Sequence, residues 1–550
     1  MSTTIQTKLD QALSGKAFEK RIRRRNVKDS VSKYSISVGG LGVIFAVLLI
    51  MFFLLYVVLP LFVPATVEKT TQYSIPGSQH EKTLYYGIDE YQTTAIRFTE
   101  SGDLVGFNVI DGSVNFRESL PLNGATITAY KVVNELQRIL AFGLSNGTVL
   151  FAKYGYDVSY PNNVRTITPK VTYPYGESPI EIANGAITSL AVKAFESELK
   201  LAYQVEGSKS ISVKAFTKIE SMLSDSVVLE EDDAGQFSSN MAVKWLMIDT
   251  SGRNLYTISP TGTADYYDIA DIENPVLVQH VNLMPEGEKP TVIRFLLGDY
   301  SLMVGSDKGV VYQWFPVRDE ENNFALKPIR KFQVGHSAVQ SIGIELARKG
   351  FATADESGNF NLFHSTSERH LASSEVSEAS ANLITISPRA DGAIVETKDG
   401  LLTHFAIDNE HPDVSLSSLW GKVWYEGYEE PTYTWQSSSA SSDFEPKFSL
   451  MPLTFGTIKA ALYSMLFAVP IAILAAIYTA FFMDKATRQW VKPSVEMIEA
   501  LPTVILGFLA GLWLAPYMEA HLPGFFAILI VLPLGIIMFG YAWSRLPERV

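Results

Sequence analysis

Hydrophobic and polar positions follow two incompatible patterns along this chain. In four stretches they do not alternate at all: no Asp, Glu, Lys, Arg or His stands between Lys33 and Glu68, Lys459 and Asp484, Glu499 and Glu519, or His521 and Arg545. A helix needs about 20 apolar residues to cross the hydrocarbon core of a bilayer, so these stretches predict membrane helices. Their expected bounds are 36–63, 453–483, 500–517 and 524–543. Between the first and second of them the pattern changes to short runs of period two, rich in β-branched and aromatic residues and punctuated by turns. That alternation predicts half-buried strands rather than helices.

A tight turn followed by such a strand recurs, with glycine at positions 102, 147, 207, 262, 309, 358 and 400, spaced by 45, 60, 55, 47, 49 and 42 residues. Glycine returns because a tight hairpin needs positive φ, which is costly for any residue with a Cβ. One hairpin per ~40 to 60 residues is the period of a four-stranded blade, so residues 68–424 are expected to form an all-β, propeller-like domain of about seven blades. A pair of β-sandwiches is the structural alternative, and it accounts less well for the glycine period. The run from Val334-Gly335-His336 to Asp355-Glu356-Ser357-Gly358 resembles the glycine-histidine and aspartate turn pattern of WD40 repeats. The other blades match that family in period more than in letters. His336 and Asp355 read as structural hydrogen-bonding residues rather than a catalytic pair, and the fold by itself names no function.

Charge gives the orientation. Residues 1–36 hold nine Lys and Arg against three Asp and Glu, whereas residues 37–450 hold 30 against 50, a net of −20. Cytoplasmic flanks are enriched in Lys and Arg, so the basic tail, residues 1–35, is expected inside and the acidic domain outside, in the periplasm of a double-membrane bacterium. The first span is too long and begins too late for a signal peptide, so it is expected to be an uncleaved anchor. Two further flanks, one a short basic loop with Asp484, Lys485, Arg488 and Lys492 and one with Arg545 and Arg549, then return to the cytoplasmic side. The acidity also argues against nucleic acid as a partner. There is no cysteine, and the seven histidines of the central domain form no His-x-His or His-Glu-x-x-His. Thiol catalysis is therefore excluded, no metal or other cofactor is expected, and no paired-acid or nucleophile constellation marks an enzyme. Residues 425–450, polar, aromatic and serine-rich, read as a linker near the membrane interface.

The last hundred residues carry a more specific resemblance. Leu453-Thr454-Phe455-Gly456 through Ala468-Val469-Pro470 to Tyr478 resembles the first core helix of binding-protein-dependent ABC permeases. Lys492-Pro493-Ser494-Val495 through Leu501-Pro502-Thr503-Val504-Ile505-Leu506-Gly507-Phe508 to Pro516 is similar to the signature of phosphate ABC permeases of the PstC type. The long insert resembles the enlarged subgroup of that family. The resemblance implies a bacterial inner-membrane subunit of a phosphate importer, with residues 451–550 a partial permease domain of about three helices. It further implies a second permease subunit, a cytoplasmic ATPase subunit and a periplasmic phosphate-binding protein as partners. The chain has no Gly-x-x-x-x-Gly-Lys-[Ser/Thr], so ATP hydrolysis falls to another subunit. It also lacks the family's cytoplasmic coupling loop: Glu519-Ala520-His521-Leu522-Pro523-Gly524 has the wrong spacing and lies on the outer side. A C-terminally truncated chain is the resulting expectation.

Spans rich in proline and glycine are tolerated where other protein or a water path satisfies the backbone, and transporters aim such broken helices at their substrate. Pro502, Thr503, Gly507 and Gly511 are the expected pathway residues, with Lys459 the cation in the outer half of a core span, either lining the path or reaching to the interface. The competing reading is a membrane-anchored periplasmic propeller that acts as scaffold or sensor without transport.

Overall fold

A computed structural model describes residues 16–220, 227–439, 445–499 and 503–545. The first element, α1, runs from Lys16 to Val58 and closes in a 3-10 turn over Leu59–Phe62, where Pro60 has no amide hydrogen to continue the helix. The basic tail is thus largely continuous with the apolar span as one helix, because Arg and Lys are good helix formers and Arg25 and Asp29 sit one turn apart, 3.9 Å from each other.

Seven antiparallel sheets follow, and their inner strands are Thr83–Ile88, Ile127–Asn134, Ile187–Ala194, Trp245–Ile248, Pro290–Phe295, Val339–Ile344 and Ala381–Ile386. Six of the blades are contiguous in sequence. Blade one, for example, runs Thr83–Ile88, Thr94–Thr99, Asp103–Asn108, Val114–Ser119. Blade seven is not: its outermost strand is Thr66–Ser74, which pairs with Leu401–Asp408 from Thr66 opposite Asp408 to Ser74 opposite Leu401. The strand that leaves the membrane helix therefore closes the ring. Blade two carries an additional short strand, Ile180–Glu181, beside Thr148–Ser159, which accounts for the longest of the glycine spacings.

Burial follows the same plan. The buried apolar residues form seven clusters, and each lies between two neighbouring blades, from Phe98 with Phe142 between blades one and two to Ile88 with Ile394 between blades one and seven. A blade alone leaves both faces apolar, so stability comes from stacking and the ring must be complete.

All seven turn glycines have positive φ, between 75° and 95°, and each connects the second and third strands of its blade. In blade six the Asp355 carboxylate accepts from the Asn359 amide at 2.9 Å, and the Gly358 carbonyl accepts from Val376 at 2.9 Å. Blade seven repeats the second bond across the closure: the Ile75 amide, just past the closing strand, donates to Gly400 at 3.0 Å. Asp355 is structural, as its sequence context implies, while His336 is exposed on the preceding loop. A Ser, Thr or Asp stands three positions before the glycine in five of the seven turns: Thr99, Ser259, Ser306, Asp355 and Thr397. Four of the five accept an amide hydrogen inside their own turn: Thr99 from Asp103, Ser259 from Thr263, Ser306 from Val310 and Asp355 from Asn359.

Past the ring, α2 (Leu416–Trp420) begins with a capping box on Ser415 and Ser418. The linker is fastened to the propeller. Glu426 takes the Lys349 ammonium at 2.5 Å and the Ser301 hydroxyl at 2.5 Å, and Arg330 donates to the Trp424 carbonyl at 2.6 Å. The C-terminal elements, which form a separate unit from Thr454 onward, are considered next.

Candidate functional site

Among the described residues, four helical segments are long and apolar enough to cross a membrane: Ile22–Phe62, Met451–Phe482, Thr503–Ala520 and Leu522–Ser544. The second holds Lys459 and the third Thr503, Gly507 and Gly511 of the residues singled out for a pathway, and none of the last three is a plain helix. Helix α3 (Met451–Ile477) contains Pro470 and ends in a π-helical turn over Tyr478–Phe482. Thr479 returns its hydroxyl to the Ala475 carbonyl at 2.7 Å, and Arg488 reaches back to the carbonyls of Ala480 at 2.8 Å and Met483 at 3.1 Å. Carbonyls left without an amide partner at this helix end thus receive a cation, which also complements the helix dipole.

Residues 484–499, whose basic stretch was expected as a short loop, form helix α4 (Lys485–Glu499). Asp484 caps it, its carboxylate accepting from the Thr487 amide at 3.0 Å, and hydrogen bonds from the Thr487 side chain first and its amide second hold the carboxyl below its usual range. Trp490 on this helix is 80% exposed and, two residues from both Arg488 and Lys492, lies on the face opposite them, an amphipathic arrangement of the kind that lies along a membrane interface.

Helix α5 (Thr503–Leu509) continues through a second π-helical turn, Ala510–Leu514, into α6 (Ala515–Ala520). Thr503, Gly507 and Gly511 recur every four residues on this run, so the first two share a face and the π-helical turn begins before the third. A Cβ at Gly507 or Gly511 would meet nothing within 4 Å. The face is bare, and small residues spaced in this way let a second helix approach closely. Pro502 lies outside the described residues. Lys459, on α3, places its ammonium 5.7 Å from the centre of the Tyr463 ring one turn on. Among the described residues no hydrogen bond or ion pair joins Lys459 to Thr503, Gly507 or Gly511, so the chain presents two separate features. Helix α7 (Leu522–Ser544) contains Pro533 and carries no buried residue.

No protein-family model matches the chain. Over 76 residues it is 28% identical to the probable ABC transporter permease protein YqgH of Bacillus subtilis (strain 168), a match that takes in 14% of this chain and 25% of that protein. The chain thus spans about a quarter of the length of the curated relative it matches. Among solved structures it is similar to Raptor of Chaetomium thermophilum, with a TM-score of 0.42, 11% identity, and coverage of 62% of this chain and 29% of that one. No functional argument rests on that likeness.

What the geometry offers chemically is positioning rather than bond-making. The apolar helices are interrupted at proline and at π-helical turns, which free backbone groups, and they leave a small-residue face uncovered.

Proposed function

We propose that the chain is a permease subunit of an ATP-driven importer of inorganic phosphate, with its N-terminus in the cytoplasm and its propeller in the periplasm. The observation that carries this reading is the 76-residue match to a protein named as a probable ABC transporter permease. The interrupted spans and the distribution of charge support it: nine basic residues precede the first span and the propeller side is strongly acidic. In this reading Pro502, Thr503, Gly507 and Gly511 belong to a broken helix at the translocation path, and Lys459 stands at its outer mouth. A second permease subunit completes the path, a separate ATPase drives it, and a periplasmic phosphate-binding protein delivers the anion.

The test is uptake of radiolabelled phosphate by cells that lack this chain, with and without the chain restored, together with affinity purification of the tagged chain from membranes. Restored uptake and recovery of an ATPase subunit are expected. Unchanged uptake and purification without an ATPase would instead mark the chain as a membrane-anchored propeller scaffold or sensor.

A further inference from the structure

The propeller is strongly acidic, yet its central channel gathers cations. The channel encloses a cavity of about 720 Å³ lined by the inner strands of all seven blades. Toward the end where those strands finish, Lys131 of blade two, Lys193 of blade three and Arg294 of blade five face one another with two carboxylates, Glu135 and Asp299. None of these residues is close to its partner in sequence.

Both carboxylates are already engaged across the ring. Arg294 pairs with Glu135, and Lys193 meets Asp299 at 2.5 Å. Lys131 has neither: among the described residues its ammonium makes no ion pair and donates only to the Met247 sulfur of blade four, at 2.8 Å. A thioether is a weak acceptor, and a cation held away from bulk water needs a counter-charge. Burial first, and then the neighbouring Arg294 charge, pull the Lys131 ammonium down to about 8, against the opposing pull of Asp299 and Glu135. This end of the channel therefore holds one cation more than its two carboxylates neutralise, with spare donors directed into an open cavity.

We propose that this end of the channel is a binding site for a small tetrahedral oxyanion of the phosphate class, received by Lys131 with Arg294 and Lys193 beside it. Ammonium and guanidinium donors form charge-assisted hydrogen bonds to such an anion. A carboxylate would offer two acceptor oxygens in one plane, whereas a tetrahedral anion can turn an oxygen toward each of three donors that converge from three blades. The choice of phosphate as the physiological anion rests on the transport reading. The site itself does not, and the two fail separately, because uptake and channel binding are measured independently.

The experiment uses the full chain in detergent micelles, exchanged into phosphate-free buffer and titrated calorimetrically with inorganic phosphate, sulfate and acetate in separate arms. In parallel, lysines are acetylated at neutral pH with and without phosphate, and Lys131 modification is followed by peptide mass spectrometry. Saturable phosphate binding is expected, with slower acetylation of Lys131 when phosphate is present. Lys131→Met should weaken binding about tenfold or more, from loss of a charged hydrogen bond, while the propeller melts as before. Saturable sulfate binding at the same site supports the tetrahedral class. Binding of acetate alone, phosphate binding unchanged by Lys131→Met, or Lys131 acetylation indifferent to phosphate overturns the proposal. Should the variant fail to fold, the acetylation measurement on the unaltered chain decides.

Discussion

The propeller and the C-terminal helices use the same two residue classes to opposite ends. In the propeller Phe98, Phe142 and Phe351 are fully buried, whereas on α7 Leu529 is 70% exposed and Phe539 69%. Glycine shows the contrast at its crowded turns, although Gly207 and Gly400 are open. A Cβ at Gly147 would come within 2.0 Å of the Ala183 carbonyl oxygen and one at Gly358 within 2.0 Å of the Ser377 carbonyl oxygen, while Gly456, Gly507, Gly511, Gly535 and Gly540 have nothing within 4 Å. The propeller completes its own packing inside this chain. The helices expose theirs, either to lipid or to another protein. A substitution in the first region is thus expected to act on folding, and one in the second on association and function.

The sharpest version of that contrast is Gly358→Ala. The residue sits at φ 78°, its amide donates to Asp355 at 3.1 Å and its carbonyl accepts from Val376 at 2.9 Å. Positive φ costs an alanine of order 1 kcal/mol or more, and relieving the contact with Ser377 opens a turn that holds three strands. A loss of about 4 kcal/mol in propeller stability is expected, measured by thermal or denaturant unfolding of the purified chain. A melting temperature equal to that of the unaltered chain would mean that blade six does not depend on this turn.

How far each region could be read beforehand has the same physical origin. The seven glycines were legible because positive φ is a local demand that marks a single position. The closing strand was not: Thr66–Ser74 reads like any strand after a membrane helix, and its partner, Leu401–Asp408, lies more than 300 residues away. The channel cluster was equally hidden, since Lys131, Lys193 and Arg294 become neighbours only when the ring closes. Lys349 and Glu426, which hold the linker to blade six, are joined by tertiary structure that no period announces. On the helices Thr503, Gly507 and Gly511 could be chosen from their size and spacing, but what covers them is not part of these helices.

Buried ionisable groups sharpen the contrast further, because they belong to the propeller. Glu345 is fully buried at the end of the inner strand of blade six, with Arg348 at 3.1 Å from one carboxylate oxygen and no partner for the other. Burial raises its carboxyl to about 7, against the opposing pull of Arg348. The folded pKa lies above the unfolded value of 4.5, so the folded state binds the extra proton. Stability from this group is complete below pH 4.5, falls as pH rises toward 7, and falls no further above that. The span corresponds to about 3 kcal/mol. His364, held down to about 3 by burial and by the nearby arginines, acts in the opposite sense, so the informative quantity is a difference. Unfolding free energies of the unaltered chain minus those of Glu345→Gln, measured from pH 4.5 to 7.5, should decline by this amount. A flat difference would mean that Glu345 stays ionised within the fold.

The smallest expected effect on stability comes from Gly507→Leu, and it tests the other half of the comparison. Among the described residues, and apart from the helix's own adjacent backbone, no atom lies within 4 Å of the new Cβ, and leucine is the better helix former by nearly 1 kcal/mol, so propeller melting should stay within about 0.5 kcal/mol of the unaltered chain. Function should respond differently. Thr503 and Gly507 share a small-residue face, and a bulky side chain on it holds an approaching helix away. Phosphate uptake and recovery of partner subunits are therefore expected to fall about tenfold, which is about 1.4 kcal/mol of lost association and well above the expected change in folding. Uptake and assembly at the unaltered level would place this face against lipid. The pathway would then have to be sought along α3, where Lys459 and Pro470 stand on one helix.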